Sequence, residues 1–461
     1  MFPAKVYSER RAKLRKELPK GIILFLGNQD SPFNYPANTY SFRQDSSFLY
    51  FFGLDHPDLA GVIDLDNGTD YIFGNDIDMD DIIWMGKQPT VKDQAMSVGV
   101  EHSASLKELS ALIKEAREKG RMIHFLPPYR GETILWLSDL LNLPHLKLRE
   151  NASIELIKGV IKLRLVKDDL EIAEIEKMID IAWLMHTTAM KMAKPGVVEQ
   201  EIAGVIEGIA LSHGGPVSFP VILSINGQTL HNHHHGNTLT VGKMLVIDAG
   251  CESGLHYASD ITRTVPVGGK FNLRQKEIYE IVLNANLAAT AAVKTGVPFR
   301  NIHLLAATEI VKGLNALGIM KGDIQEAVNK GAHTLFFPHG LGHPMGLDVH
   351  DLEGLGENFV GYDGEVIRSK EFGLAFLRFG RKLQKNFVMT IEPGIYFIPE
   401  LIDNWKKENK LAEFINYDKV ETYKDFGGIR IEDDILVTQK GARVLGKPIP
   451  KTVKEVEETM K

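Results

Sequence analysis

Cysteine is almost absent: Cys251 stands alone in 461 residues. That excludes an internal disulfide and a thiolate-built structural zinc site, and it suits a reducing cytoplasm. Long apolar runs are missing too. The longest early one, Gly21 to Gly27, has strand length, far below the roughly 20 residues of a membrane helix. The first twenty residues carry nine Lys, Arg and Glu and no apolar signal-peptide core, so a soluble, cytoplasmic chain is expected. Basic residues never form a long run and the formal net charge is −7, which removes the electrostatic footprint of a nucleic-acid or anionic-membrane binder. No Gly-x-Ser-x-Gly nucleophile elbow occurs, and this argues against a serine hydrolase.

What is present is ordinary globular material, 44% apolar and 25% charged, and the length suits two packed units. Residues 1–160 read as a smaller α/β domain, with strand-like runs at Gly21 to Leu26 and Leu59 to Asp64 and a helical stretch at Ser105 to Lys119. Residues 161–461 read as a second, larger domain. Its first helix opens on Asp168 and Glu171, which have capping-box spacing. That helix carries an apolar stripe of Ile175, Met178, Ile179, Ala182, Met185, Ala189 and Met192, which is core filler, and ends at Lys194-Pro195-Gly196. A second long helix runs from an Asn272 cap to the similar segment Lys294-Thr295-Gly296-Val297, followed by a short helix with Ile302 and Leu305 inward. Strand-like runs follow each helix pair: Val217 to Ile225, Met244 to Asp248 and Ile261 to Val267, then Val388 to Glu392 and Ile429 to Thr438. An internal duplication, two helices then strands, is the expected architecture.

The chemistry-bearing residues sit where burial is expected. Asp248 closes the apolar run Met244-Leu245-Val246-Ile247, and Asp260 opens Ile261-Thr262-Arg263-Thr264. A hairpin joining the two runs would bring the carboxylates together, and paired buried carboxylates call for a cation; taken singly, each could merely cap a turn. The segment Pro338 to Asp351 packs His339, His343 and His350 among Gly340, Gly342 and Gly346. Its glycine spacing is wrong for a dinucleotide loop, and Pro344 falls where a helix should begin. Glu392 and Glu432 are two more acids in apolar, strand-like runs. Four carboxylates and one imidazole make an oxygen-rich donor set that suits Mn, Fe, Co or Zn.

Asp248, Asp260, His343, Glu392 and Glu432, in this order and context, resemble the ligand set of the pita-bread metallopeptidases, which include methionine aminopeptidase, prolidase, aminopeptidase P and creatinase. Tyr40 to Tyr50, with Ile83-Trp84-Met85-Gly86 downstream, resembles the aminopeptidase P N-terminal domain; the plain alternative is a β-edge segment. Pro448-Ile449-Pro450-Lys451 is similar to the tail of that branch. The resemblance implies an α+β protein, with a pita-bread catalytic domain of pseudo-twofold halves after a smaller α/β domain. It further implies two divalent cations, Mn foremost with Zn, Co or Fe as alternatives. His339, His350 and Glu392 would be catalytic, and His231 and Arg430 would meet substrate. Asn232 to His235 maps to no family role and reads as a surface loop.

One departure is visible: the segment from Asp248 to Asp260 is one residue longer than the family's usual spacing. An extra residue flips the facing side of a hairpin unless a bulge or longer turn absorbs it, and Ser253-Gly254 is the natural place. The implied activity is release of an N-terminal residue ahead of proline, whose tertiary amide ordinary peptidases handle poorly. The two cations would activate a water, and His339 and His350 would donate hydrogen bonds to the developing oxyanion or the proline side. Glu392 would pass a proton to the leaving nitrogen. The alternatives are a prolidase acting on dipeptides, a non-catalytic pita-bread binding module, and a thiol hydrolase built on Cys251. Peptides are the expected partners, and a homodimer the expected assembly.

Overall fold

The computed structural model describes residues 1–461, in two compact units: Met1–Arg164 with Gly354–Phe359, and Leu165–Glu353 with Val360–Lys461. No helix is long and apolar enough to cross a membrane.

The first unit is built on a five-stranded sheet in the spatial order His102–Ala104, Asp70–Phe73, Ala60–Asp64, Ile22–Leu26, Ile123–His124. Its interior strand Ile22–Leu26 is buried throughout, so both faces must be covered and the sequence reads as a continuous apolar run. On one face Leu109 and Ile113 of the helix Leu106–Glu118, with Leu137 of Gly131–Leu141, pack on Ile22, Leu24 and Val62. Ser105 caps the first of these helices by accepting from Glu108 N–H. The Tyr40 to Tyr50 segment is not a β edge: Ser46–Phe52 is a fully buried helix, capped by Asp45 and stopped at Gly53 in the left-handed region. Ile83, Trp84 and Met85 lie exposed on the helix Met79–Met85.

In the second unit the helix Asp169–Met192 starts at an Asp168/Glu171 capping box, and Leu273–Ala292 starts at an Asn272 cap. The stripe of the first helix is buried from Ile175 to Ala189. At its end Met190 goes inward and Met192 is only partly covered, because the helix stops before another inward turn. Along the later helix Phe299–Ala316, Ile302 is buried, Leu305 is half-buried and His303 takes an inward place instead.

The two halves repeat one local design. Gly196 and Gly296 both have positive φ, 90° and 89°. Gly196 N–H donates to Leu239 O at 2.9 Å and Leu239 N–H to Val197 O at 2.8 Å; in the second half the pairs are Gly296 to Leu383 at 2.8 Å and Leu383 to Val297 at 2.9 Å. Each helix pair leads to a three-stranded sheet: Ile261–Pro266, Met244–Ala249, Ile222–Ser224 in the first half and Val388–Ile391, Asp433–Val437, Ala442–Val444 in the second. The run expected at Val217 to Ile225 shortens to Ile222–Ser224 plus an isolated bridge from Val217 to Cys251. The run expected at Ile429 to Thr438 divides into Gly428–Arg430 and Asp433–Val437.

Candidate active site

The hairpin resolves the spacing of the two aspartates. Asp248 pairs with Thr262 and Ala249 with Ile261, and the bridge from Glu252 to Ala258 continues the same register. The extra residue is therefore absorbed in the turn Ser253 to Tyr257, where Ser253 N–H donates to Tyr257 O at 2.9 Å and His256 takes a φ of 65°. By that register Asp260 lies opposite Gly250, so Asp248 and Asp260 are diagonal neighbours on one face of the hairpin.

Glu392 and Glu432 stand at breaks rather than within strands. Glu392 follows Val388–Ile391 and precedes Pro393, and Glu432 lies in the two-residue gap between Gly428–Arg430 and Asp433–Val437. Thr262 joins the halves: its Oγ1 donates to Glu432 Oε2 at 2.7 Å and its carbonyl accepts from Glu432 N–H at 3.0 Å. His343 is fixed against the same sheet, exchanging backbone and side-chain hydrogen bonds with Thr390 at 3.0 and 3.2 Å.

These side chains converge. His343 Nε2 lies 3.4 Å from Asp260 Oδ2 and 3.8 Å from Glu392 Oε1. Donor atoms of Asp260, His343 and Glu432 lie within 4.8 Å of one another. His343 Nδ1 sits 3.1 Å from Pro344 O, and a carbonyl can only accept, so Nδ1 carries the proton and Nε2 turns a lone pair toward the carboxylates. Burial holds His343 near a pKa of about 4, so the imidazole is neutral at neutral pH. Burial, with Asp260 and Asp248 adding to it against the pull of Arg430, pushes Glu392 up to about 8; Asp260 and Glu432 are raised as well, again chiefly by burial. Asp248 Oδ1 and Asp260 Oδ1 are buried without a hydrogen-bond partner. Acids that resist ionisation, orphaned oxygens and a bare imidazole nitrogen facing one point form a donor set that a divalent cation fits.

The surroundings orient this centre. Arg430, 3% exposed, donates from Nη2 to Asp248 Oδ2 at 2.5 Å, from Nε to Thr262 Oγ1 at 3.1 Å and from Nη1 to Tyr396 Oη at 2.9 Å. His339 Nδ1 donates to Gly340 O at 2.8 Å, so Nε2 accepts from Tyr396 Oη at 2.9 Å. Both nitrogens of His339 are thus engaged, which leaves no donor for an oxyanion; its Nδ1 lies 3.7 Å from Glu392 Oε2. His350 packs at a 56° tilt on His343, with ring centroids 4.1 Å apart, and donates from Nδ1 to Glu353 Oε2 at 2.7 Å, so its Nε2 carries a lone pair and has no proton to give an oxyanion. Glu353 also meets Arg378 at 2.6 Å.

A cavity of about 600 Å³ opens over the cluster, lined by all four of these acids and His343, by His231, His339, His350, Arg378 and Arg430, and by apolar Phe219, Ile222, Leu230, Phe372 and Phe376. His233, expected on a surface loop, lines it too. Sequence reasoning missed Tyr396, Thr262, Arg378 and Glu353. Proximity in the chain to Glu392, Asp260 and His350 could have suggested Tyr396, Thr262 and Glu353, whereas Arg378 carries no such signal. Cys251 is no nucleophile: its Sγ faces Met178 O and Ser259, and burial pushes its thiol up to about 12.

Residues 173–439 match the model of metallopeptidase family M24, and the chain belongs to that family. Residues 7–124 match the aminopeptidase P N-terminal domain, which sets the chain in the aminopeptidase P branch of these peptide hydrolases. It is 31% identical over 471 residues to a probable Xaa-Pro aminopeptidase of Paracoccidioides brasiliensis (strain Pb18), covering 99% of this chain and 96% of that protein. It is 32% identical over 473 residues to the Xaa-Pro dipeptidase of Homo sapiens, covering 99% and 94%. Among solved structures it is similar to Zn-substituted Escherichia coli aminopeptidase P in complex with product, with a TM-score of 0.81, 28% identity, and coverage of 100% of this chain and 98% of that one.

Proposed function

We propose that the chain is a dinuclear metal-dependent aminopeptidase that releases the N-terminal residue from peptides with proline in second position. The observation that carries this reading is the convergence of four carboxylates and the bare Nε2 of His343 at the floor of a cavity with apolar walls. Asp248, Asp260, His343, Glu392 and Glu432 would hold two divalent cations, Mn by resemblance with Zn, Co or Fe compatible with the same donors, which when bound supply Lewis acidity and a water of lowered pKa. Glu392, beside the leaving group, would carry a proton to the leaving nitrogen of proline. His350, its Nδ1 fixed by Glu353, would meet the substrate through Nε2, and His231 would line the entrance. His339 acts through Tyr396 and its place beside Glu392 rather than by donating to an oxyanion.

Arg378, which lines the cavity, favours a second reading: a guanidinium there could receive the carboxylate of an Xaa-Pro dipeptide. Chelator-stripped protein, restored separately with Mn, Co or Zn and given Ala-Pro-Ala and Ala-Pro, separates the two. Metal-dependent cleavage of the tripeptide supports the aminopeptidase, and cleavage of the dipeptide alone supports the dipeptidase. No cleavage with two metals bound would leave the binding-module reading. A cytoplasmic homodimer belongs to the same proposal, and light scattering on the purified chain tests the dimer.

A further inference from the structure

Glu392 and Glu432 each follow a residue whose carbonyl is held from behind by the same side chain. Asn286, on the helix Leu273–Ala292, is fully buried and donates its amide to Ile391 O at 3.0 Å and to Ile431 O at 3.3 Å. Both carbonyls stand where strand pairing runs out, next to the two glutamates. An amide in that position has a second, flipped orientation that would turn Oδ1 against two carbonyl oxygens. Lys451 selects the donating one: its Nζ donates to Asn286 Oδ1 at 2.9 Å and to Asp433 Oδ2 at 2.6 Å. Arg263, with no exposed surface, closes the frame. Its Nη2 meets Asp433 Oδ1 at 2.6 Å and its Nη1 donates to Glu432 O at 2.6 Å. The tail is tied to the same frame, because Arg263 also donates to Pro450 O at 3.0 Å and Ile449 O at 3.1 Å, and Tyr279 Oη donates to Lys451 O at 2.8 Å.

We infer that Asn286 and Lys451 are positioning residues for the reaction, and that the C-terminal segment Ile449 to Lys451 is the clamp that sets the backbone under both glutamates. The inference rests on the proposed cation-ligand roles of Glu392 and Glu432. A cation centre needs its donors within tenths of an ångström, and the strand breaks that free Glu392 and Glu432 from the sheet also remove the sheet's hold on them. The alternating directions of Glu432, Asp433 and Asp434 fit this division of work. Glu432 meets Thr262, Asp434 Oδ2 accepts from Asp260 N–H at 3.0 Å, and Asp433 alone faces the clamp.

The test uses the full chain with Lys451→Met, Lys451→Arg, Asn286→Leu and Glu432→Gln. Four quantities are read: Mn affinity by competition with a chromogenic chelator, kcat and KM on Ala-Pro-Ala, and thermal unfolding. Lys451→Met is expected to weaken Mn binding and lower kcat, each by about 10-fold, with KM within about twofold, while Lys451→Arg restores both. Asn286→Leu is expected to do the same, and it decides the question should Lys451→Met aggregate. A folded Lys451→Met protein with wild-type Mn affinity and kcat, changed only in its melting temperature, overturns the positioning role. Wild-type Mn binding by Glu432→Gln would overturn the ligand reading beneath it instead.

Discussion

Tyr396 has its hydroxyl between Arg430 Nη1 and His339 Nε2, each at 2.9 Å, and it is fully buried. Donor and acceptor directions along Arg430, Tyr396, His339 and the Gly340 carbonyl are all consistent, so the chain holds His339 as a neutral imidazole. Replacing Tyr396 by Phe removes one hydroxyl, leaves a guanidinium proton and an imidazole nitrogen unpaired, and is expected to lower kcat on Ala-Pro-Ala roughly 10-fold with little change in fold. Thr262 bonds both Glu432 and Arg430. Thr262→Val keeps the shape and loses both bonds, so chelator competition should show Mn bound about 10-fold more weakly. Glu392→Gln keeps the volume of the side chain but cannot carry a proton, and should abolish turnover by at least about 100-fold; unimpaired turnover would remove Glu392 from the proton-transfer step.

At the scale of elements, the hairpin decides whether the centre exists. Its ladder runs from the pair of Met244 with Pro266 to that of Ala249 with Ile261, and the bridge of Glu252 with Ala258 resumes it in the same register, so the odd residue falls in the five-residue turn. One residue inserted between Gly250 and Cys251 would slip one strand against the other and move Asp260 off the face of Asp248. The same insertion after Gly254, which has room around it, lengthens the turn only. Bound metal per chain, measured on both proteins after dialysis, should drop in the first and stay at the wild-type value in the second. Equal metal content in both would mean that the register does not place these ligands. The expected strand Ile429 to Thr438 likewise looked continuous, because Ile431 fits the apolar alternation; it breaks there since Glu432 must leave the sheet plane.

Taken as a whole, the molecule buries several imidazoles as neutral groups away from the acids. Burial lowers His186 to about 3 and His333 to about 4, and His303 well below its ordinary value. Unfolded, each would titrate near 6.5, so between that value and the folded ones the unfolded chain binds more protons. Their contribution to stability is therefore fully present above about pH 6.5 and falls as the pH drops toward 4. Asp433 acts with the same sign at lower pH: burial raises it, but Arg263 and Lys451 outweigh burial and hold it at about 2, so it adds no slope until the pH falls below about 4. The raised carboxyls of Asp260, Glu392 and Glu432 give metal-free protein the opposite slope, so the histidine share is read from the difference in urea midpoint between wild type and His333→Phe, which should be constant from pH 8 to 7 and shift in favour of the variant by pH 5; a difference independent of pH would mean that His333 is hydrated.

Composition, helix caps and the ordered series of Asp248, Asp260, His343, Glu392 and Glu432 were legible in the chain itself, because caps and apolar periodicity are local and buried acids stand out against apolar runs. The duplicated helix pairs were legible for the same reason, in two similar helix ends. Tertiary structure alone decided that the odd residue lies in a turn, that the glutamates sit at strand breaks, and that His339 is already bonded on both nitrogens. It alone brought Asn286 and Lys451, 165 residues apart, to one hydrogen bond behind the centre. An asparagine in a helix and a lysine in a tail carry no local mark of burial or partner, and their roles arise only when distant segments pack against one another.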